Sequence, residues 1–252
     1  MKKIVSTIML FSSFHACASL DAPKTTYSTL QLGVVAGWST GPYSHYSNKV
    51  IPFPIISYEG ELAYFRGGEA GLKLYSSDND EISVAASLLP LSFKPRNAEK
   101  QALKSLNERK MSAMAGIGWK HHAEWGFTSL TARQRITGNK EGATLGAAYG
   151  YPFPIGQSTW VVTAGMDYSN AQLNKNYFGV SPDESSRSGL RSYSPGSGIA
   201  PYLDLLVAYP LTQSIDLSAG TRLTRLSDAM SDSPMAGKRY MQSFITSVSY
   251  HF

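Results

Sequence analysis

Side chains able to do acid–base, nucleophilic or metal chemistry are few in this chain and scattered. Its histidines are His15, in an apolar leader; His45, in a polar stretch; the adjacent pair His121 and His122; and His251, next to the last residue. Neighbouring residues on a strand point to opposite faces, so His121 and His122 would not share a metal ion. Neither GxSxG nor HExxH occurs, and with them go the nucleophile elbow and the zinc-binding helix. Two polar runs pair carboxylates: SPDESSR holds Asp183 and Glu184, and SDAMSDSP holds Asp228 and Asp232. Such pairs activate water or hold calcium when the fold drives them together, and otherwise stay solvated. The run KPRNAEKQALKSLNERK (94–110) sets Lys94, Arg96, Lys100, Lys104, Arg109 and Lys110 against Glu99 and Glu108. That excess suits lipopolysaccharide phosphates, or equally a solvated loop with one helical turn. The remaining charges of interest, Asp167, Asp204, Asp216 and Arg222, sit inside otherwise apolar, alternating segments.

Those segments identify the elements that hold them. TLQLGVVAGWS puts Leu30, Leu32, Val34, Ala36 and Trp38 on one face, and TWVVTAGMDY does the same with Trp160, Val162, Ala164, Met166 and Tyr168. The opposite faces carry Gly, Ser, Thr and the charges just named. Period-two alternation marks strands with one apolar and one polar face. Runs of about ten residues, several ending in Trp or Tyr, match tilted strands crossing a bilayer. Unpaired ions are costly in a dry sandwich core, so the charged face fits a hydrated barrel lumen. Twelve segments are expected, at about 28–39, 51–58, 61–66, 69–76, 81–90, 110–121, 125–136, 142–153, 158–169, 199–209, 214–226 and 242–252. The third is short and the seventh alternates weakly, which makes ten the alternative count.

The connections sort themselves. EG, SDND, HAE, PIGQ and PLTQ are short turns, whereas 40–50, 91–109, 170–198 and 227–241 are long. Short periplasmic turns alternating with longer outer loops characterise an outer-membrane barrel, and an even strand count returns both termini to the periplasm. The last residues, SFITSVSYHF, alternate down to Phe252 and read as the strand that closes the ring, its aromatic face on lipid. Within the lumen, Asp216 and Arg222 share a strand face about 20 Å apart, too far to pair. Each therefore needs another lumen partner or water, and Asp204, on the preceding strand, is one candidate for Arg222.

Bulk properties agree. The chain has 252 residues with 16% charged and 12% aromatic, 22 Gly and 15 Tyr, which is thin in charge for a cytosolic protein and too aromatic for a disordered one. No run reaches the ~18 apolar residues of a membrane-spanning helix. Lys2, Lys3, the apolar IVSTIMLFSSF and the small residues of ACA compose a signal peptide over 1–18, leaving the barrel at 19–252. Cleavage after Ala18 removes Cys17, the only cysteine, and with it any disulfide or thiol chemistry; a lipid anchor on Cys17 is the rival reading. Loss of Lys2 and Lys3 takes the formal charge from +5 to about +3, too small an excess to imply nucleic acid. No cofactor is expected.

Four stretches in order, PFPIISYEGELAYFRGG (52–68), NERKMSAMAGIGW (107–119), NYFGVSPDESSRSGLRSYSP (176–195) and RLSDAMSDSPM (225–235), resemble the MipA/OmpV family of outer-membrane proteins. The likeness runs from about residue 28 to Phe252. Its signature falls on Tyr177, Phe178, Gly179, Ser188, Gly189, Leu190, Asp232, Ser233 and Pro234. The resemblance implies a non-enzymatic barrel in the Gram-negative outer membrane, in contact with its lipid and lipopolysaccharide. It further implies a scaffold joining a murein lytic transglycosylase to a murein synthase. A narrow channel for small polar or anionic solutes is the first alternative, and a barrel enzyme acting at the rim is the second. The signature loops are expected at the outer end, although murein enzymes work in the periplasm.

Overall fold

The structure is a computed structural model, which describes residues 29–44, 50–138 and 141–252. The leader over 1–18 and His45 lie outside the described residues. Twelve antiparallel strands form one closed ring, so the count of twelve holds and ten does not. They are β1 Thr29–Ser39, β2 Ile51–Glu59, β3 Ala63–Arg66, β4 Glu69–Ser76, β5 Asp80–Leu89 and β6 Ser112–Ala123. The second half comprises β7 Gly126–Arg135, β8 Ala143–Ile155, β9 Ser158–Ser169, β10 Gly198–Pro210, β11 Ile215–Arg225 and β12 Tyr240–His251. Each strand pairs with its sequence neighbours, and β12 closes on β1 from Gln31↔His251 to Ser39↔Ser243. Phe252 donates its N–H to the Leu30 carbonyl, 3.1 Å away, extending that seam.

Alternation sorts the side chains to the two faces as expected. Leu32, Val34, Leu145, Met166, Ile199, Leu203, Phe244 and Val248 are exposed outward, as a lipid-facing wall requires. The inward face carries Ser39, Ser83, Ser87, Thr163, Asp204, Arg222 and Ser243, all buried. One end of the ring carries only short turns, and we call it the turn end. The loop end carries the long connections, with α1 Gln101–Lys104, α2 Ala171–Phe178, α3 Pro182–Ser188 and α4 Asp228–Ser231.

The wall is uneven at one place. β3 pairs with β2 only over Ser57–Glu59, so β2 rises past it to Ile51. The turn Gly67–Gly68 ends the β3–β4 hairpin there, with Gly67 at φ 66 and its N–H on the Ile56 carbonyl. β5 continues past Glu69↔Ser87 as Leu88 and Leu89. Two strand positions are therefore missing at the loop end between β2 and β5. The Ile56 carbonyl is taken by that turn; by period two Pro54 and Pro52 face the same side above it, and they have no N–H to leave unpaired. Prolines blunt an edge that among the described residues has no partner strand.

Candidate functional site

The loop end is closed by a hydrophobic cap. Tyr43, Phe93, Leu103, Leu106, Leu173, Tyr177, Phe178, Val180, Leu226, Met230 and Met235, contributed by four separate connections, form one buried cluster. α2 is set by Asn170, whose side-chain oxygen accepts from the Leu173 N–H at 3.0 Å. That N-cap aims Tyr177 and Phe178 into the cluster, where both are essentially inaccessible. The Tyr177 hydroxyl reaches Ser112 Oγ at 2.8 Å and the Lys110 carbonyl at 3.2 Å, tying α2 to the start of β6. Ser233 donates to the Phe178 carbonyl at 2.6 Å. The Asp232 carbonyl accepts from Arg191, which stitches the loop after β11 to the loop after β9.

α3 begins in a capping box. Ser181 Oγ accepts from the Glu184 N–H at 3.2 Å while Glu184 accepts from the Ser181 N–H at 3.1 Å. It ends at Gly189, with φ 72, as a left-handed C-cap favours glycine. Ser188 donates to the Glu184 carbonyl and accepts from the Leu190 N–H, and Leu190 packs against the cap. Glu184 is not the solvated loop carboxylate, nor the water-activating or calcium-binding one, weighed from the sequence. It is buried, and Arg109 Nη2 donates to both its oxygens at 2.7 and 2.9 Å, with the Asn107 N–H at 2.8 Å. Burial works to raise its pKa, but the Asn107 and Ser181 N–H groups and the Arg109 guanidinium outweigh that and hold it below the usual range. Arg109 is thereby drawn out of the basic run, which carries the expected helical turn as α1.

Below the cap lies the lumen. Arg222 clasps Asp204, the candidate named from the sequence, directly across the β10–β11 pair, and stacks 3.9 Å from the Tyr202 ring centroid. Asp216 is distant, at the turn end, and pairs with His251. Two further ionic clusters went unnoticed in the sequence: Arg133 with Glu69 at 2.6 Å, and Arg66 and Lys73 together around Glu59 and Glu81. Their only advance signal was parity, since each occupies an inward position. A smaller apolar cluster, Phe127, Val161 and Leu206, occupies the lumen toward the turn end. Between it and the cap is a cavity of about 260 Å³, lined from the wall by Arg133, Asp167, Tyr202, Asp204 and Arg222, and from above by the cap.

The described histidines are spread over both faces of the wall. His121 pairs with Asp80 at 2.9 Å on the outer wall beside Trp119, His122 faces the opposite way beside Phe127, and His251 holds Asp216. Among the described residues neither His121 nor His251 bonds a hydroxyl, and no three His, Cys, Asp or Glu side chains group as for a metal ion. The signature positions thus gather into the cap: Tyr177, Phe178, Gly179 and Ser233 in direct contact, Asp232 and Pro234 flanking, and Ser188–Leu190 closing α3.

Comparison with known proteins agrees with this architecture. The family model described as MltA-interacting protein MipA matches residues 32–252. The outer membrane protein YiaT of Escherichia coli (strain K12) is 33% identical, over 91% of this chain and 93% of its own. The MltA-interacting protein of the same organism is 34% identical, over 88% of this chain and 89% of its own. OmpV of Vibrio cholerae is 22% identical over 78% of this chain and 76% of its own. A twelve-stranded ring with an apolar outer wall, a loop-built cap and these relatives together make this chain a member of the MipA/OmpV family of outer-membrane β-barrels.

Proposed function

We propose that this barrel is a closed, non-enzymatic anchor that holds a murein lytic transglycosylase beside a murein synthase at the inner surface of the outer membrane. The observation that carries the reading is the cap: four connections interdigitate over the mouth, and a lumen so covered suits holding partners better than passing solutes. The name of the MltA-interacting relative supports the first partner. In this reading residues 1–18 direct export, both termini and the turn end face the periplasm, and partners dock on the turns. Trp125, exposed and stacked on Tyr149 at 5.9 Å, offers such a turn a rigid aromatic. The signature loops serve the cap, so a scaffold does not need them to touch its partners.

The test uses the folded full-length barrel. In planar bilayers it gives no steady conductance, and immobilised it retains a lytic transglycosylase in a manner weakened by Trp125→Ala. A steady, ion-selective pore together with no retained transglycosylase would replace this reading with the narrow-channel one.

A further inference from the structure

The lipid-facing wall has a hollow in it. Along one row of paired outward residues Ala132 stands between Ile117 and Leu145, and along the next Ala147 stands between Leu130 and Met166. The four large side chains are each about half exposed, so the two methyl groups between them mark a floor. The result is an apolar groove of about 500 Å³ across β6–β9. Pockets of ~300–1,000 Å³ bury a ligand of drug size, and this one has room for a hydrocarbon tail. On a wall that crosses the membrane, the molecules within its reach are lipids, and their acyl chains match its lining.

At its turn-end limit on β6 the groove meets polar groups. Trp119 lines it with its ring and donates Nε1–H to Asp80 Oδ1 at 2.9 Å. His121, directly opposite Asp80, shares the same oxygen through Nδ1 at 2.9 Å. Its ring lies between those of Trp119 and Trp125, at 5.9 and 5.8 Å, as aromatics gather where hydrocarbon meets water. Asp80 Oδ2 has no partner among the described residues, and the side chain is one-third exposed. Lys120, the cation next in the chain, points the other way, over the Phe127 ring. A carboxylate oxygen is thus left to accept, at headgroup depth, beside a groove made for a tail. We propose that this flank holds one phospholipid whose headgroup ends in a primary ammonium, a phosphatidylethanolamine in chemical class, with an acyl chain in the groove and its ammonium donating to Asp80 Oδ2. A choline headgroup has no N–H to donate, and a glycerol headgroup leaves the phosphate charge uncompensated beside Asp80. The site does not depend on which side of the membrane the turn end faces.

The test is native mass spectrometry of the full-length barrel in detergent micelles, titrated with phosphatidylethanolamine, phosphatidylglycerol or phosphatidylcholine of identical acyl chains. Phosphatidylethanolamine saturates at one per barrel and binds about tenfold more tightly than either of the others, as a hydrogen bond to a charged group provides. Asp80→Asn brings the three lipids within a few-fold of one another. Ala147→Phe fills the groove from the lipid side and weakens all three alike. Affinity for phosphatidylglycerol or phosphatidylcholine equal to that for phosphatidylethanolamine in the parent, or a preference that survives Asp80→Asn, would overturn the headgroup site. Full affinity in Ala147→Phe would overturn the groove as the seat of the tail. Should Asp80→Asn not fold, as judged by heat-modifiable mobility, the comparison of headgroups in the parent decides alone.

Discussion

Replacing Glu184 with Ala tests whether the cap is a built structure or a loose cover. The substitution removes the acceptor for Arg109 and for the Asn107 and Ser181 N–H groups, in a place where Glu184 itself is 2% exposed. Breaking one side of a buried ion pair costs about 3–5 kcal/mol. Arg109 keeps its bonds to the Asn107 and Gly179 carbonyls, so the lower figure, about 3 kcal/mol, applies. That is on the order of 100-fold in the equilibrium between closed and open cap, since 1.4 kcal/mol is tenfold. Native-state hydrogen exchange should show it at the Asn107, Ser185 and Gly189 amides, while the strand amides of β8–β11 stay as slow as in the parent. Acid should mimic the mutation. Glu184 titrates lower folded than unfolded, so its stabilisation is complete above the unfolded value, about 4.3, and drains away as pH falls through the folded value. Equal exchange in parent and variant at pH 7, or cap exchange in the parent showing no acid-induced opening beyond the intrinsic rate, would refute the reasoning.

Two other substitutions probe different links. Leu205→Arg puts a cation on the lipid face near mid-strand and should cost about 2–4 kcal/mol in a urea refolding titration into vesicles; Asp204→Ala, one residue away but inward, should cost about 3–5 kcal/mol because Arg222 stays buried without its carboxylate. Gly189→Ala meets no atom within 4 Å, so only its φ of 72 opposes it, and a loss of about 1 kcal/mol confined to proteolytic protection of the 182–192 segment is expected.

The strands were legible because a wall with lipid on one side and a lumen on the other forces period two on every residue crossing it. β1 was expected at 28–39 and is Thr29–Ser39; β9 was expected at 158–169 and is Ser158–Ser169. Asp204 was legible as one candidate for Arg222 because both are inward on neighbouring strands; the register that sets them directly opposite comes from the structure. The cap was not. Arg109 and Glu184 are 75 residues apart, and nothing in NERK or PDESS says that either is buried. Their contact follows from four loops folding over one mouth, which no local period records. The Arg133–Glu69 pair was not legible either, because it joins β7 to β4, strands distant in sequence.

The low stretch of wall has a consequence outside the protein. Everywhere else the strands run from turn end to loop end, but over β3 and β4 the apolar belt stops at Gly67–Gly68. A bilayer adjusts its hydrocarbon thickness to the wall beside it, at a fraction of a kcal/mol for each ångström of mismatch. A leaflet matched to this wall would dip on this one side, and its elastic strain would fall beside a neighbour with an equally short flank. An evenly walled cylinder spins in the membrane without a preferred azimuth; this barrel has a front, and its neighbours can sense it through the lipid before they touch it.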